Sequence, residues 1–237
     1  MADNGTLYLI PNTIAAGTAD EVIHPHVKNK VKTIRNFLTE DVRSARRFIS
    51  TLKIFDSVEP LQFSVLNKNT DPAVLEELLK PLMAGENMGI ITESGCPGIA
   101  DPGALAVAFA HNKNIRVVPM VGPSSLLLAL MASGLNGQHF AFHGYLPVDK
   151  TGRKIAIEAF EKESRKKNLT QLFIETPYRN NQLFQSLIEN LSGNTLLCVA
   201  TDITGQSESI KTKTVADWRR TMPGLPKFPT VFLFLAR

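Results

Sequence analysis

Residues 88–103 read MGIITESGCPGIADPG. Met88 to Thr92 is a short apolar run between turn signals, as expected of a buried strand. The chain then passes from a strand end to a helix start through Thr92–Gly103, with three glycines and two prolines among the nine residues 95–103. Small residues let a ligand approach the backbone, and proline holds a loop in shape. Ligands of open α/β sheets gather outside the carboxyl ends of the strands, which favours a ligand loop here. The plainer reading is a helix cap at Asp101-Pro102, with an inert connector before it and a helix running on through Ala110.

The neighbouring segments alternate. Thr6–Ile10, Thr33–Leu38, Leu61–Leu66 and Ile115–Met120 have strand character. Arg43–Leu52 reads as a basic helix. Asp71-Pro72 opens another, because Asp caps free amides and Pro fits a first turn. Leu75, Leu78, Leu79 and Leu82 follow as one apolar stripe. Pro81 should kink that helix and Gly85 close it. Strands alternating with helices predict a parallel sheet covered by helices. The Val121-Gly122-Pro123 step marks a second unit, so the expected organisation is two α/β domains, 1–121 and 122–237. Beyond it, Phe140–Leu146 alternates, Gly152–Lys166 is a basic helix, Leu172–Glu175 a strand, Pro177–Leu191 a helix and Leu196–Thr201 a strand. Ser209–Thr214 reads as a short strand, Val215–Thr221 as a short helix and Val231–Leu235 as a final buried strand.

Pro119-Met120-Val121-Gly122-Pro123-Ser124-Ser125-Leu126 is a second unusual connector. A strand ends, the chain turns, and the apolar run Ser124–Leu135 reads as a buried helix. Free amides at Ser124 and Ser125 would suit a carboxylate; plain serine capping explains them equally well.

Composition excludes several classes. The 237 residues are 43% hydrophobic and 20% charged, too apolar for a disordered chain. No uncharged apolar run reaches about 18 residues, the least that spans a bilayer. The polar start Met1–Asn4 leads straight into a strand, unlike a secretory signal. Cys96 and Cys198 support neither a disulfide framework nor a four-cysteine zinc site, and a reducing cytoplasmic setting is expected. The phosphate loop, GxGxxG, GxSxG and HExxH patterns are missing. His24, His26, His139 and His143 have no ligand-spaced partners, so no metal is expected. The net charge of +4 equals that of Lys150–Lys167 alone, where seven basic residues face three acidic ones. Such a stretch suits an anionic partner such as RNA or a solvated helix face with Glu/Lys pairs.

The two connectors, in this order and together with LYLIPNTIA (7–15), TEDVRSARR (39–47), VVPMVGPSSLLLALMASGL (117–135), FAFHGYLP (140–147) and LFIETPYR (172–179), resemble the tetrapyrrole methylase family, the class III S-adenosylmethionine methyltransferases. Within it, the likeness is greatest to the branch that methylates a ribose 2′-hydroxyl of 16S rRNA. The resemblance implies two α/β domains with S-adenosylmethionine in the cleft between them, and a homodimer. It implies cofactor contacts at Pro11, at Ser94, Gly95, Cys96, Pro97 and Ile99, and at Gly122, Pro123, Ser124 and Ser125. Second-domain contacts would fall at Thr176, Pro177, Ile203, Pro229 and Thr230. Thr13-Ile14-Ala15-Ala16 replaces a usual Pro-Ile-Gly-Asn run, and Ala200-Thr201-Asp202-Ile203 stands where an Arg-Glu pair would follow a strand. Methylation of a porphyrin or corrin precursor and a non-catalytic RNA-binding role therefore stay open.

Methyl transfer is an in-line displacement, and alignment alone is worth about 7–11 kcal/mol. A ribose hydroxyl also benefits from a general base. The carboxylates placed for that role are Glu40, Asp41 and Glu93, with Glu175 behind them; Asp41 serves equally as a helix cap. Arg43, Tyr178 and Arg179 are candidate substrate contacts, since aromatic and Arg side chains stack on and pair with nucleic acid.

Overall fold

The computed structural model describes residues 4–237. Most of the polar start, Met1–Asp3, lies outside them. The chain divides into two compact units, Met1–Ser124 and Ser125–Arg237.

The first unit follows the strand–helix alternation. Its elements are β1 (Thr6–Ile10), α1 (Ala19–Val22), α2 (Pro25–Val31), β2 (Asn36–Thr39), α3 (Val42–Thr51), β3 (Gln62–Val65), α4 (Pro72–Leu78), α5 (Lys80–Met83), β4 (Met88–Ile91), α6 (Gly103–Asn112) and β5 (Arg116–Pro119). The strands form one sheet in the order β3-β2-β4-β1-β5, every pair parallel. Alternate residues serve opposite faces. Tyr8, Ile10, Phe37 and Ile91 pack on α1–α3 through Val27, Phe48 and Ile49. Leu7, Leu38 and Ile90 pack on α4–α6 through Leu75, Leu79, Leu82 and Ala106. Parallel strands buried on both faces read as near-continuous apolar runs, as MGII does.

Local chemistry sets the helix ends. Asp41 caps α3, its Oδ1 accepting from the Ser44 amide at 2.7 Å. Asp71 caps α4 by accepting from the Ala73 amide at 2.8 Å. The leucine stripe does not sit on one bent helix. It breaks at Leu79 between α4 and α5, because Pro81 has no N–H and its ring crowds the preceding turn.

The second unit comprises α7 (Ser125–Ser133), β6 (Phe140–Phe142), α8 (Lys150–Lys167), β7 (Thr170–Glu175), α9 (Asn180–Asn190), β8 (Leu196–Thr201), β9 (Ser209–Thr214), α10 (Val215–Thr221) and β10 (Thr230–Leu235). Its sheet runs β6-β7-β10-β8-β9. Only β6–β7 is parallel; β7–β10, β10–β8 and β8–β9 are antiparallel. Phe232 and Phe234 face α8–α10 with Ile157, Leu187 and Trp218. Val231 and Leu233 face α7 with Ala129 and Leu130. The apolar α7 is covered on one face only: Leu127 and Met131 are exposed. A lone helix on a sheet has one face to bury, and apolar periodicity cannot tell that case from full burial.

The basic stretch is largely spent within the fold. Arg153 is buried and donates to Ser186 Oγ at 2.9 Å and the Val148 carbonyl at 3.0 Å. Lys154, Arg165 and Lys167 pair with Glu158, Glu161 and Glu163 one turn away. No helix among the described residues is long and apolar enough to cross a membrane.

Candidate functional site

Because β1, β2, β4 and β5 are parallel, their carboxyl ends share one edge of the sheet. The residues that follow them are therefore neighbours: Pro11-Asn12 after β1, Glu40 after β2, Thr92-Glu93 after β4 and Met120–Pro123 beyond β5. Asn12 is buried and ties two of these together. Its Nδ2 donates to the Thr92 and Glu93 carbonyls at 2.8 and 3.1 Å, and its amide donates to the Gly95 carbonyl at 2.8 Å. The Cys96 thiol donates to the Pro123 carbonyl at 3.4 Å. Gly122 lies so close to Pro11 that an added Cβ would sit 2.1 Å from the Pro11 Cβ.

The loop between β4 and α6 is a folded object. Gly95 and Gly98 take φ of +72° and +83°, and Ala100 takes +60°. Only glycine reaches that region without steric cost. Asp101 Oδ1 accepts from the Gly98 and Gly103 amides, both at 2.7 Å. It closes the turn and begins α6, so the cap reading and the shaped-loop reading hold together. A Cβ on Gly98 would meet nothing within 4 Å, so space is open above the backbone there. Ile99, 54% exposed, and Val121, 82% exposed, are apolar side chains left uncovered on these connectors.

The edge is acidic. Glu40 and Asp101 line a small void of about 10 Å³ with Thr39, Thr92 and Gly103, room for about one water. Burial pushes the Glu40 carboxyl above its usual range, and the charges of Asp101 and Glu93 add to this. Burial, then Asp101, also raises the Cys96 thiol, which keeps it neutral. Asp101 Oδ2 is buried with no hydrogen-bond partner among the described residues. Asp41 lies beside Glu40 in sequence but behaves oppositely: the Ser44 hydrogen bonds hold its carboxyl below the usual range.

In the second unit the antiparallel register brings another set together. Thr230 opens β10 opposite Glu175 at the end of β7 and Thr201 at the end of β8. Thr176 and Pro177 follow β7, Ile203 follows β8, and Pro229 precedes β10; the Asp202 amide donates to the Pro229 carbonyl at 3.0 Å. The fully buried Asn180 donates to the Phe228 carbonyl at 2.7 Å and to Thr230 Oγ1 at 3.0 Å, while its own Oδ1 has no partner among the described residues. Ile203 is buried. Ser124 and Ser125 stand where the first unit passes into α7.

Among the remaining candidates, Arg43 is exposed on α3. Tyr178 is 83% exposed, with Lys227 over its ring at 5.9 Å. Arg179 donates twice to Glu175 Oε1, at 3.0 and 2.7 Å, so Glu175 is committed to an ion pair. Sequence reasoning missed Asn12 and Asn180, and it saw in Asp101 only a cap. The one signal for Asn12 was its place two residues past the end of a buried strand. Asn180 carried none, because its partners lie about fifty residues away.

No protein-family model matches the chain. Among solved structures, the methyltransferase CobJ superposes with a TM-score of 0.62 at 16% identity, covering 99% of this chain and 95% of the other. Uroporphyrin-III-C-methyltransferase from Thermus thermophilus superposes with a TM-score of 0.57, also at 16%, covering 98% and 92%. These likenesses establish the tetrapyrrole methylase fold. Sequence relatives are closer. The ribosomal RNA small subunit methyltransferase I of Xylella fastidiosa is 29% identical over 91% of this chain and 75% of its own, and that of Escherichia coli O157:H7 is 29% identical over 88% and 70%. The Synechocystis sp. enzyme of the same name is 30% identical over 92% of this chain and 71% of its own. With kinship of that extent laid over the same two-sheet fold, the chain belongs to the ribosomal RNA small subunit methyltransferase I family.

Proposed function

We propose that this chain transfers a methyl group from S-adenosylmethionine to a ribose 2′-hydroxyl of small-subunit rRNA. One observation carries the reading. The carboxyl edge of the first sheet is a small-residue cradle lined by carbonyls and carboxylates, with open space above Gly98 and an unpaired Asp101 oxygen. That is a setting for a ligand that is cationic at one point and apolar elsewhere. The proposed holding residues are Pro11, Ser94–Pro97, Ile99 and Gly122–Ser125. Thr176, Pro177, Ile203, Pro229 and Thr230 are the second unit's proposed contacts by family likeness, and the Asn180 oxygen beside Thr230, unsatisfied among the described residues, supports them. When bound, S-adenosylmethionine supplies an electrophilic methyl on a positively charged sulfonium.

The chain's residues supply alignment and proton transfer. Pro11 against Gly122 and Cys96 against Pro123 fix the cradle walls. Glu40 is the proposed base. Its raised carboxyl is a better match to a hydroxyl proton than an ordinary glutamate, and it takes that proton onto a carboxylate oxygen. Glu93 adds negative charge beside it. Asp41 holds α3 in place. Arg43, Tyr178 and Arg179 are proposed RNA contacts. An rRNA substrate supports a cytoplasmic setting. The exposed Leu127 and Met131 support a homodimer.

Calorimetric titration with S-adenosylmethionine should show one site per chain, and methyl label should enter small subunits isolated from a strain lacking the activity. Absence of binding heat would favour the non-catalytic role. Label entering a porphyrin or corrin precursor while small subunits stay unlabelled would overturn the acceptor.

A further inference from the structure

The first unit holds a second cavity that meets the cofactor cradle only at Asn12 and Glu93. Its volume is about 490 Å³, and Asn12, Thr13, Gly17, Ser44, Arg47, Thr51, Lys53 and Glu93 are among its walls. This is within the roughly 300–1,000 Å³ of ligand pockets. Ser44, Arg47 and Thr51 are spaced by three and four residues, so one face of α3 is turned to it.

Its charge is distinctive. Four charged residues line it: Asp20, Arg47, Lys53 and Glu93. Asp20 is already neutralised by Lys28, 2.6 Å away. Arg47 and Lys53 are exposed and take part in no ion pair among the described residues. The nearby basic residues are spent differently: Arg46 lies over the Phe63 ring at 5.4 Å and Arg35 over Phe55 at 5.4 Å. Lys53 is also held at φ +53°, just past the end of α3, a position that glycine fills at lower cost. A cation is kept there against the backbone's own preference.

Asn12 and Glu93 belong both to this cavity and to the strand ends that carry the cofactor cradle. We propose that the cavity is the entry subsite for the acceptor strand, with Arg47 and Lys53 gripping backbone phosphates of single-stranded RNA beside the reacting ribose. The proposal rests on the methyltransferase reading and assigns that site its RNA-positioning side chains. Phosphate contacts fix register rather than sequence, so these residues set affinity and placement while the choice of nucleotide lies elsewhere.

The test uses the full chain, a fluorescein-labelled single-stranded oligoribonucleotide and a salt titration. For single strands, the slope of log affinity against log salt becomes shallower by about 0.7 for each phosphate that the protein ceases to neutralise. Arg47→Ala and Lys53→Ala should each flatten the slope by about that amount, and the double variant should bind about tenfold more weakly. The KM for small subunits should rise while S-adenosylmethionine affinity stays level. Lys53→Gly is the sharper variant. It relieves the backbone, so the melting temperature should hold or rise while RNA affinity falls, a split that a purely structural lysine would not give. Lys162→Ala with Lys166→Ala on α8 is the charge-matched control and should leave the slope unchanged. An unchanged slope in the Arg47 and Lys53 variants, a slope that moves only in the α8 control, or a loss of S-adenosylmethionine affinity instead of RNA affinity would overturn the proposal. Wild-type methylation of small subunits is scored separately. Its failure would remove the methyltransferase reading, whereas an unmoved slope with that activity intact removes the subsite alone.

Discussion

The two sheets assemble their candidate edges by different means. In the first, all strands are parallel, so residues 11–12, 40, 92–93 and 120–123 meet at one edge simply because each follows a strand. In the second, three of four pairings are antiparallel. There, residues 176–177 and 203 follow strands while 229 precedes one and 230 opens it, and only the β7-β10-β8 register brings them together. The first unit's candidate edge therefore follows from strand direction, while the second unit's depends also on which strands pair and on the polar groups that brace them.

The strongest way to break that contrast is Glu161→Ala. Glu161 is buried in the second unit and accepts from the Ser192 amide at 2.8 Å, the Ser192 hydroxyl at 3.1 Å and the Thr195 hydroxyl. Removing it leaves the buried Thr195 donor and the two part-buried Ser192 donors without that partner, at a cost of about 2–4 kcal/mol. Urea unfolding should show the loss in the second unit's transition alone. A loss shared equally by both transitions would mean that the units do not fold separately. The first-unit counterpart is Gly122→Ala. A Cβ there would overlap Pro11, so one cradle wall must move, with about 1–3 kcal/mol of overpacking. Methyl-transfer rate should fall about 100-fold from misplacement of a closely fitted wall. A normal rate would show that this wall does not touch the cofactor.

How much of this was legible in the sequence follows the same division. The strand–helix alternation of 6–119 announces a parallel sheet, and from that alone the edge that gathers Pro11, Glu40 and Glu93 can be placed. Nothing in TQLFIE, LLCVAT or TVFLFL states which strand pairs with which or in what direction, because a run buried on both faces looks alike in either kind of ladder. The polar residues that close the sites were hidden for a related reason. Apart from the Asn180 bond to the Thr230 hydroxyl, Asn12, Asp101 and Asn180 act through backbone atoms of distant or looped segments, and a hydrogen bond to a backbone carbonyl or amide leaves no trace in the partner's side chain. Conversely, the charge count of Lys150–Lys167 overstated a basic face, since Arg153 faces inward and three of its cations pair along the helix.

Glu40 sharpens the comparison through pH. Its carboxyl is raised chiefly by burial, so the fold prefers the acid form, and ionising it costs stability. The cost is absent below the ordinary value of 4.5, grows as the pH climbs through the raised value, and then levels. Glu40→Gln should therefore raise the first unit's melting temperature at neutral pH by about 1–2 °C and change nothing in strong acid. The same variant should lower methyl transfer about 100-fold or more if Glu40 is the base. The wild-type rate should rise with pH through a midpoint above that of a free glutamate. A stabilised variant with full activity would keep the electrostatics and remove the catalytic role.

The smallest expected effect separates shape from chemistry in the loop itself. Ala100 is exposed and sits at φ +60°, inside the turn that Asp101 closes by holding Gly98 and Gly103. A non-glycine residue in that region costs about 1–2 kcal/mol, and an exposed methyl returns little of it by packing. Ala100→Gly relieves the strain but frees the unfolded chain, which takes back about 0.4–1 kcal/mol. A net gain of about 0.5 kcal/mol is left, readable by urea unfolding of the first unit. Because the two Asp101 hydrogen bonds, rather than the Ala100 side chain, define the turn, S-adenosylmethionine affinity should stay within about twofold, well under the 1.4 kcal/mol that marks a tenfold change. A destabilised variant would mean that the methyl is packed after all, and a large loss of affinity would move the shaping of the cradle from Asp101 to the residue beside it.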